Sequence, residues 1–131
     1  MNNKELIEKW YNQMWNKWNT DILHEILDDE ITFRGSLGIE KKGYEGLKNY
    51  MNFIKSAFPD FHNSIEQIIT EGNYSFAKLK YTGTHKGKIF EIAPTNKRIE
   101  YYGAAVFTIE NKKIKDVWVL GDIYGLIKQL E

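Results

Sequence analysis

Asp122 stands at the end of a run made almost wholly of apolar residues, Val117-Trp118-Val119-Leu120-Gly121. A carboxylate placed there would be partly desolvated, which raises its pKa toward a range useful for proton transfer. A positioned general base contributes on the order of 10²- to 10⁴-fold to rate. The same residue also suits the N-cap of a following helix, a role that contributes about 1 kcal/mol. His85 lies in Gly83-Thr84-His85-Lys86-Gly87, where two glycines suit a tight turn; its imidazole would do acid–base work if it faced a cavity. Trp10, Tyr11, Met14 and Trp18 form an apolar stripe at helical spacing, which reads either as plain core or as the wall of a ligand pocket. Tyr11 could direct its hydroxyl at a bound carbonyl, with Met14, Phe33 and Trp118 completing an aromatic and thioether wall that excludes water. Arg34 and Arg98, the two arginines, end and begin strands and could hold an anionic group by their planar fork of donors, or simply be solvated.

Other chemistries lack their residues. His24 and His62 sit among charged or polar neighbours and read as surface positions, and no His pair at i,i+4 or His-x-His suggests a metal site. The chain has no cysteine, which removes disulfides, thiolate zinc sites, iron–sulfur clusters and a cysteine nucleophile. No P-loop, Gly-x-Gly-x-x-Gly, Gly-x-Ser-x-Gly or paired catalytic carboxylate is present, so no cofactor is expected.

The elements that must position these residues follow from periodicity. Apolar residues from Leu6 to Trp18 predict a helix over residues 4–18, closed by Asn19-Thr20-Asp21, which can cap a short second helix over about 22–27. Residues 30–34 read as a strand with Ile31 and Phe33 on one side. Gly35, Gly38 and Gly43 make the next stretch a loop able to hold a small hairpin. A third helix is expected over about 44–57, stopped by Pro59, because the residue before proline is pushed out of the helical region. Strands are expected over 63–70, 74–85, 99–109 and 113–121, separated by turn signals, and a last short helix over 122–130. In the final strand, strict alternation puts Trp118, Leu120 and Asp122 on one face and Val117, Val119 and Gly121 on the other. Helices first and four long strands afterward indicate an α+β domain. One bent sheet wrapped around the N-terminal helices makes a cone closed at one end, with an apolar cavity between sheet and helices.

Composition agrees with one such unit. The 131 residues fit a single domain over 1–131, and 42% hydrophobic with 15% aromatic residues is a globular composition. Eighteen basic and eighteen acidic side chains cancel, leaving no positive excess for nucleic acid. The charged N-terminal ten residues do not resemble a signal peptide, and the longest uncharged apolar stretch, residues 101–109, is far short of the roughly 20 residues of a membrane span. The expectation is a soluble, cytoplasmic protein with no membrane or nucleic-acid partner.

Several segments together resemble a known family. Gly46-Leu47-Lys48, Ala57-Phe58-Pro59-Asp60, Gly83-Thr84-His85-Lys86-Gly87, Ala93-Pro94-Thr95, the strand Lys113 to Trp118 with Asp122, and Gly125 to Leu130 are similar to the SnoaL-like polyketide cyclases, or ester cyclases, of the nuclear-transport-factor-2-like superfamily. The resemblance covers nearly the whole chain. It implies a cone-shaped barrel of the cystatin-like roll type with a bent, mixed or antiparallel sheet, a homodimer or larger assembly, and no cofactor. It also implies intramolecular aldol chemistry on a small apolar carbonyl compound, with one aspartate as general acid/base; the matching position is Asp122. Departures are Phe33-Arg34 where the family often ends its first strand in a polar group, and Asn96 where it has glycine.

Three readings follow. The first is a cofactor-free cyclase or isomerase in which Asp122 moves a proton and Tyr11 or Trp118 positions the substrate. A ketosteroid-isomerase-like activity needs a base near the first strand, which Phe33-Arg34 does not supply. The third is a non-catalytic module of the same fold that binds an apolar ligand or dimerises through the outer face of its sheet.

Overall fold

A computed structural model describes residues 1–131, whose helices lie against one curled sheet. Helix α1 (Asn3–Lys9) begins at an Asn2–Glu5 capping box and continues directly as a π-helical stretch, Trp10–Trp15. A 3₁₀ turn and the short α2 (Leu23–Ile26) lead into β1 (Leu27–Arg34) and β2 (Glu40–Lys42). Helix α3 (Gly43–Ala57) follows, then the long strands β3 (His62–Glu71), β4 (Tyr74–Thr84), β5 (Arg98–Glu110) and β6 (Lys113–Gly121), and finally α4 (Ile123–Leu130).

The six strands form one mixed sheet in the order β2-β1-β6-β5-β4-β3, with β1 parallel to β6 and every other neighbour antiparallel. Extra residues at Glu66 in β3 and at Lys115 in β6 shift the register and mark irregularities of the kind that bend a sheet. The α+β cone expected from the order of elements is therefore what forms. Its inner face is set by alternation: Tyr101, Gly103, Ala105 and Phe107 of β5 are sequestered, while Tyr102 and Val106 between them face out. Thirty-two buried residues make one hydrophobic cluster between this face, α1 with its π-helical extension, and α3.

Three local expectations change. The first strand starts at Leu27, because β6 offers a parallel partner over a longer stretch than the apolar pattern of β1 alone suggests. The second helix shrinks to Leu23–Ile26. The helix expected over 4–18 widens at Trp10, where Asn16 bonds back to the Tyr11 carbonyl five residues earlier (2.9 Å). Such π turns are rare and occur mostly near functional sites. This one ends at Trp15, and three residues later Trp18 sits in the left-handed region (φ 53°), under the Lys55 ammonium at 5.5 Å from the ring centre.

Candidate functional site

A small hollow of about 20 Å³ lies between the π-helical stretch, α3 and the inner face of the sheet. Trp10, Tyr11 and Trp15 reach it from the π-helical turns, Tyr50 and Ile54 from α3, and Phe33, Tyr81 and Val119 from strands. Nine of its eleven lining residues are hydrophobic; Ser36 and Asn63 are the others. That is room for about one water, far below the roughly 300 to 1,000 Å³ of ligand cavities, so a larger ligand needs the lining rings to move apart. The rings pack edge to face around it: Phe33 on Tyr50 at 5.1 Å, Trp10 on Phe107 at 5.9 Å.

The polar groups of this region are phenols. Tyr11 and Tyr50 line the cavity, and the hydroxyls of both are buried without a protein partner. The Tyr101 hydroxyl shares a 3.0 Å hydrogen bond with Ser36. Burial raises the pKa of all four tyrosines here, Tyr11, Tyr50, Tyr81 and Tyr101, with Tyr50 pushed up to about 12. At neutral pH they are therefore neutral O–H donors and not bases. Asn63 is satisfied: its N–H groups donate to Asn16 Oδ1 at 2.7 and 3.2 Å, and its carbonyl accepts from Asn16 Nδ2 at 2.9 Å. Two glycines make room for the rings, since a Cβ at Gly35 would overlap Tyr50 and one at Gly103 would overlap Tyr81.

Of the residues singled out by sequence, Trp10, Tyr11 and Phe33 stand on this wall, and Asp122, His85, Met14, Trp18, Trp118, Arg34 and Arg98 do not. Asp122 is exposed; it caps α4, its Oδ1 accepting from the Gly125 amide at 3.0 Å. The expectation of a desolvated carboxylate facing the pocket is corrected: the inward face of β6 is Val117, Val119 and Gly121, and Asp122 continues the outward one. Trp118 is on that outer face, 44% exposed, with the Arg34 guanidinium 5.1 Å from its ring centre. Arg34 donates to the Val119 carbonyl, and Arg98 pairs with Asp60 at 3.4 Å. Met14 is fully buried but belongs to the core beside the cavity. His85 is also fully buried, held away from the cavity with its Nδ1 accepting from the Thr95 amide at 3.1 Å. Nδ1 also lies 2.9 Å from the Thr95 hydroxyl, and Nε2 is buried with no protein partner.

Placing His85 explains the segments that carried the resemblance. The Asp60 carboxylate accepts from the Thr84 amide and hydroxyl at 2.6 and 2.7 Å, and the Ala57 carbonyl accepts from the Lys86 and Gly87 amides at 2.9 and 3.1 Å. The end of α3, the end of β4 and the 93–96 loop are thus tied into one hydrogen-bonded corner. Their residue types serve the joint rather than proton transfer.

The cap has a direct test. Asp122→Ala is expected to lower stability by about 1 kcal/mol, whereas Asp122→Asn, which still caps, leaves the melting temperature nearly unchanged. Equal losses in both variants, read by thermal denaturation, would count against the cap.

The sequence model of the SnoaL-like polyketide cyclases matches residues 5–130. The chain belongs to that family. No curated protein matches the sequence. Among solved structures, a protein from Jannaschia sp. CCS1 superposes with a TM-score of 0.88 at 15% identity, covering 98% of this chain and 90% of that one. TsrD from Streptomyces laurentii gives 0.86 at 21% identity over 99% and 97% of the two chains. A SnoaL-like polyketide cyclase from Agrobacterium tumefaciens C58 gives 0.81 at 21% over the full length of both. At these identities the likeness establishes the shared fold. Within the family fold, no helix of this member is long and apolar enough to cross a membrane, and no three His, Asp or Glu side chains gather where they could hold a metal ion.

Proposed function

We propose that this family member binds a small, neutral, apolar carbonyl compound in the tyrosine-lined cavity and polarises its carbonyl oxygen for cyclase- or isomerase-type chemistry. The observation that carries this reading is the pair of buried phenol hydroxyls, Tyr11 and Tyr50, with no protein acceptor. An unsatisfied buried donor costs about 1–3 kcal/mol, and a carbonyl oxygen would relieve that cost. Donors fixed in a low-dielectric site stabilise negative charge developing on that oxygen, and so acidify the adjacent C–H. Confinement between aromatic walls also holds a flexible chain with its reacting ends together. As the side chains stand the hollow holds about one water, so the substrate enters as the lining rings move apart.

Tyr11→Phe removes one donor at constant ring volume. It is expected to weaken binding of 2-acetylnaphthalene about tenfold, which corresponds to one hydrogen bond of roughly 1.4 kcal/mol. Binding of 2-ethylnaphthalene, which has no carbonyl, should be unchanged. Tryptophan-fluorescence titrations read both, and equal weakening of the two ligands would refute the donor role.

A second reading is favoured by one feature: no carboxylate or imidazole is among the lining residues. Under it the cavity binds without turnover. Exchange of the acetyl protons of the bound ketone with D₂O, followed by NMR, separates the two, because only a polarising site accelerates exchange beyond the solvent rate.

The outer face of the sheet supports the assembly that goes with either reading. Tyr102, Val106, Trp118 and Leu120 are exposed there, with Val106 directly opposite Trp118 and Ala104 opposite Leu120. Lys80–Glu100 and Lys78–Glu66 pairs flank this patch with both signs of charge, which suits a self-complementary two-fold contact between copies. The wild type is expected to sediment as a dimer and Trp118→Glu as a monomer; a monomeric wild type at tens of micromolar would overturn the assignment.

A further inference from the structure

Three residues of the cavity wall also border surface grooves: Phe33, Asn63 and Tyr50. Two of them are fixed. Phe33 lies within β1, opposite Lys41 on one side and Val117 on the other, so the groove beyond it is separated from the cavity by sheet backbone. Asn63 is held by three hydrogen bonds to Asn16. Tyr50 differs from both. It projects from a helix, its ring packs on apolar neighbours, and its hydroxyl, beside Ser36 and the Leu37 backbone, makes no well-formed hydrogen bond.

Those contacts fall on two sides. Trp15 at 6.1 Å and Phe33 at 5.1 Å are cavity residues, whereas Phe53 at 6.4 Å is 39% exposed. The groove on the Phe53 side has a volume of about 250 Å³ and is lined by Ile39, Lys41, Asn49, Tyr50 and Phe53. The Tyr50 ring therefore borders both the hollow and this groove. The turn that leans on this ring is short and glycine-bounded: Gly35 accepts from the Gly38 amide at 2.9 Å, and Gly38 has φ +85°.

We infer that Tyr50 is a gate, and that the small apolar carbonyl compound enters from the Ile39–Phe53 groove when its ring swings aside. The inference rests on the cavity being the ligand site. Ile39 and Phe53 give the groove an apolar lip, which favours a neutral apolar solute over an ion. The gate sets rates more than affinity, because both sides of the ring see the same equilibrium.

The absence of native cysteine makes the test selective. Phe53→Cys, alkylated with N-benzylmaleimide, plugs the groove outside the cavity. Stopped-flow tryptophan quenching by 2-acetylnaphthalene should then show association and dissociation both slowed at least tenfold, with Kd within about twofold of the unlabelled variant. Tyr50→Ala should speed both rates at least tenfold. If Tyr50→Ala fails to fold, judged by circular dichroism, the alkylated Phe53→Cys protein decides alone. Rates unaffected by alkylation, with binding intact, overturn the gate and leave the cavity reading standing. No binding by the wild type overturns both.

Discussion

Trp10→Ala is expected to lower stability by about 3–5 kcal/mol, the range for truncating a buried large aromatic. Trp10 is 1% exposed and sits at the hub of the aromatic wall. It meets Phe107 edge-on at 5.9 Å, Tyr11 at 6.5 Å, Phe33 at 5.7 Å and Trp15 at 6.5 Å. Removing the indole deletes its apolar burial and four ring contacts together, each such pair contributing about 0.5–1.5 kcal/mol beyond area. For a chain of this length the melting temperature should fall by roughly 10–20 °C. The cavity beside it would grow, so added indole should restore part of the loss in Trp10→Ala by binding the folded state alone. The same indole should do little for Trp10→Phe. A loss under about 1 kcal/mol in urea denaturation would show that the wall collapses freely, and that the cavity is not held open by packing.

Gly87→Ala should be comparably damaging for a different reason. A Cβ there would overlap the Ser56 carbonyl oxygen and stand 3.1 Å from the Ala57 Cα. The obstacle is backbone at the end of α3, which cannot rotate away as a side chain could. Moving Gly87 outward would break the amide bonds from Lys86 and Gly87 to the Ala57 carbonyl, at 2.9 and 3.1 Å. Overpacking costs about 1–3 kcal/mol and each of the two lost hydrogen bonds about 0.5–1.5 kcal/mol, giving roughly 2–6 kcal/mol in total. Gly72 supplies the comparison. It has φ +59°, and a methyl group on its Cα would meet no atom within 4 Å, so alanine there should cost only the roughly 1–2 kcal/mol of left-handed backbone. Equal losses at the two sites, measured by chemical denaturation, would refute the steric account of Gly87.

Both predictions show why the motifs around residues 57–60, 83–87 and 93–96 misdirect a search for chemistry. His85 has the residue type of an acid–base catalyst, yet its ring is fully buried and bonded to the Thr95 amide. A short sequence pattern records that a position is constrained; whether the constraint is a joint or a reaction depends on what lies across from it. The tyrosines pose the converse problem. Tyr50 lies on the buried side of α3 and Tyr81 on the inner face of β4. The only signal in the sequence was a hydroxyl where leucine or phenylalanine would serve packing as well.

The one-dimensional pattern alone determined the order of helices and strands and the two faces of β6, because helical and strand periodicities are local properties of the chain; the family was legible only in the resemblance of its combined motifs. It could not tell which face of β6 turns inward, since Trp118-Leu120 and Val117-Val119 are both apolar and either could be buried. Only packing against α3 and the π-helical stretch decided it, sending Asp122 outward to cap α4 and leaving Val119 on the cavity wall. The meeting of Tyr11, Tyr50 and Tyr81 around one hollow is likewise a long-range fact, produced by sheet curvature that no stretch of neighbouring residues encodes.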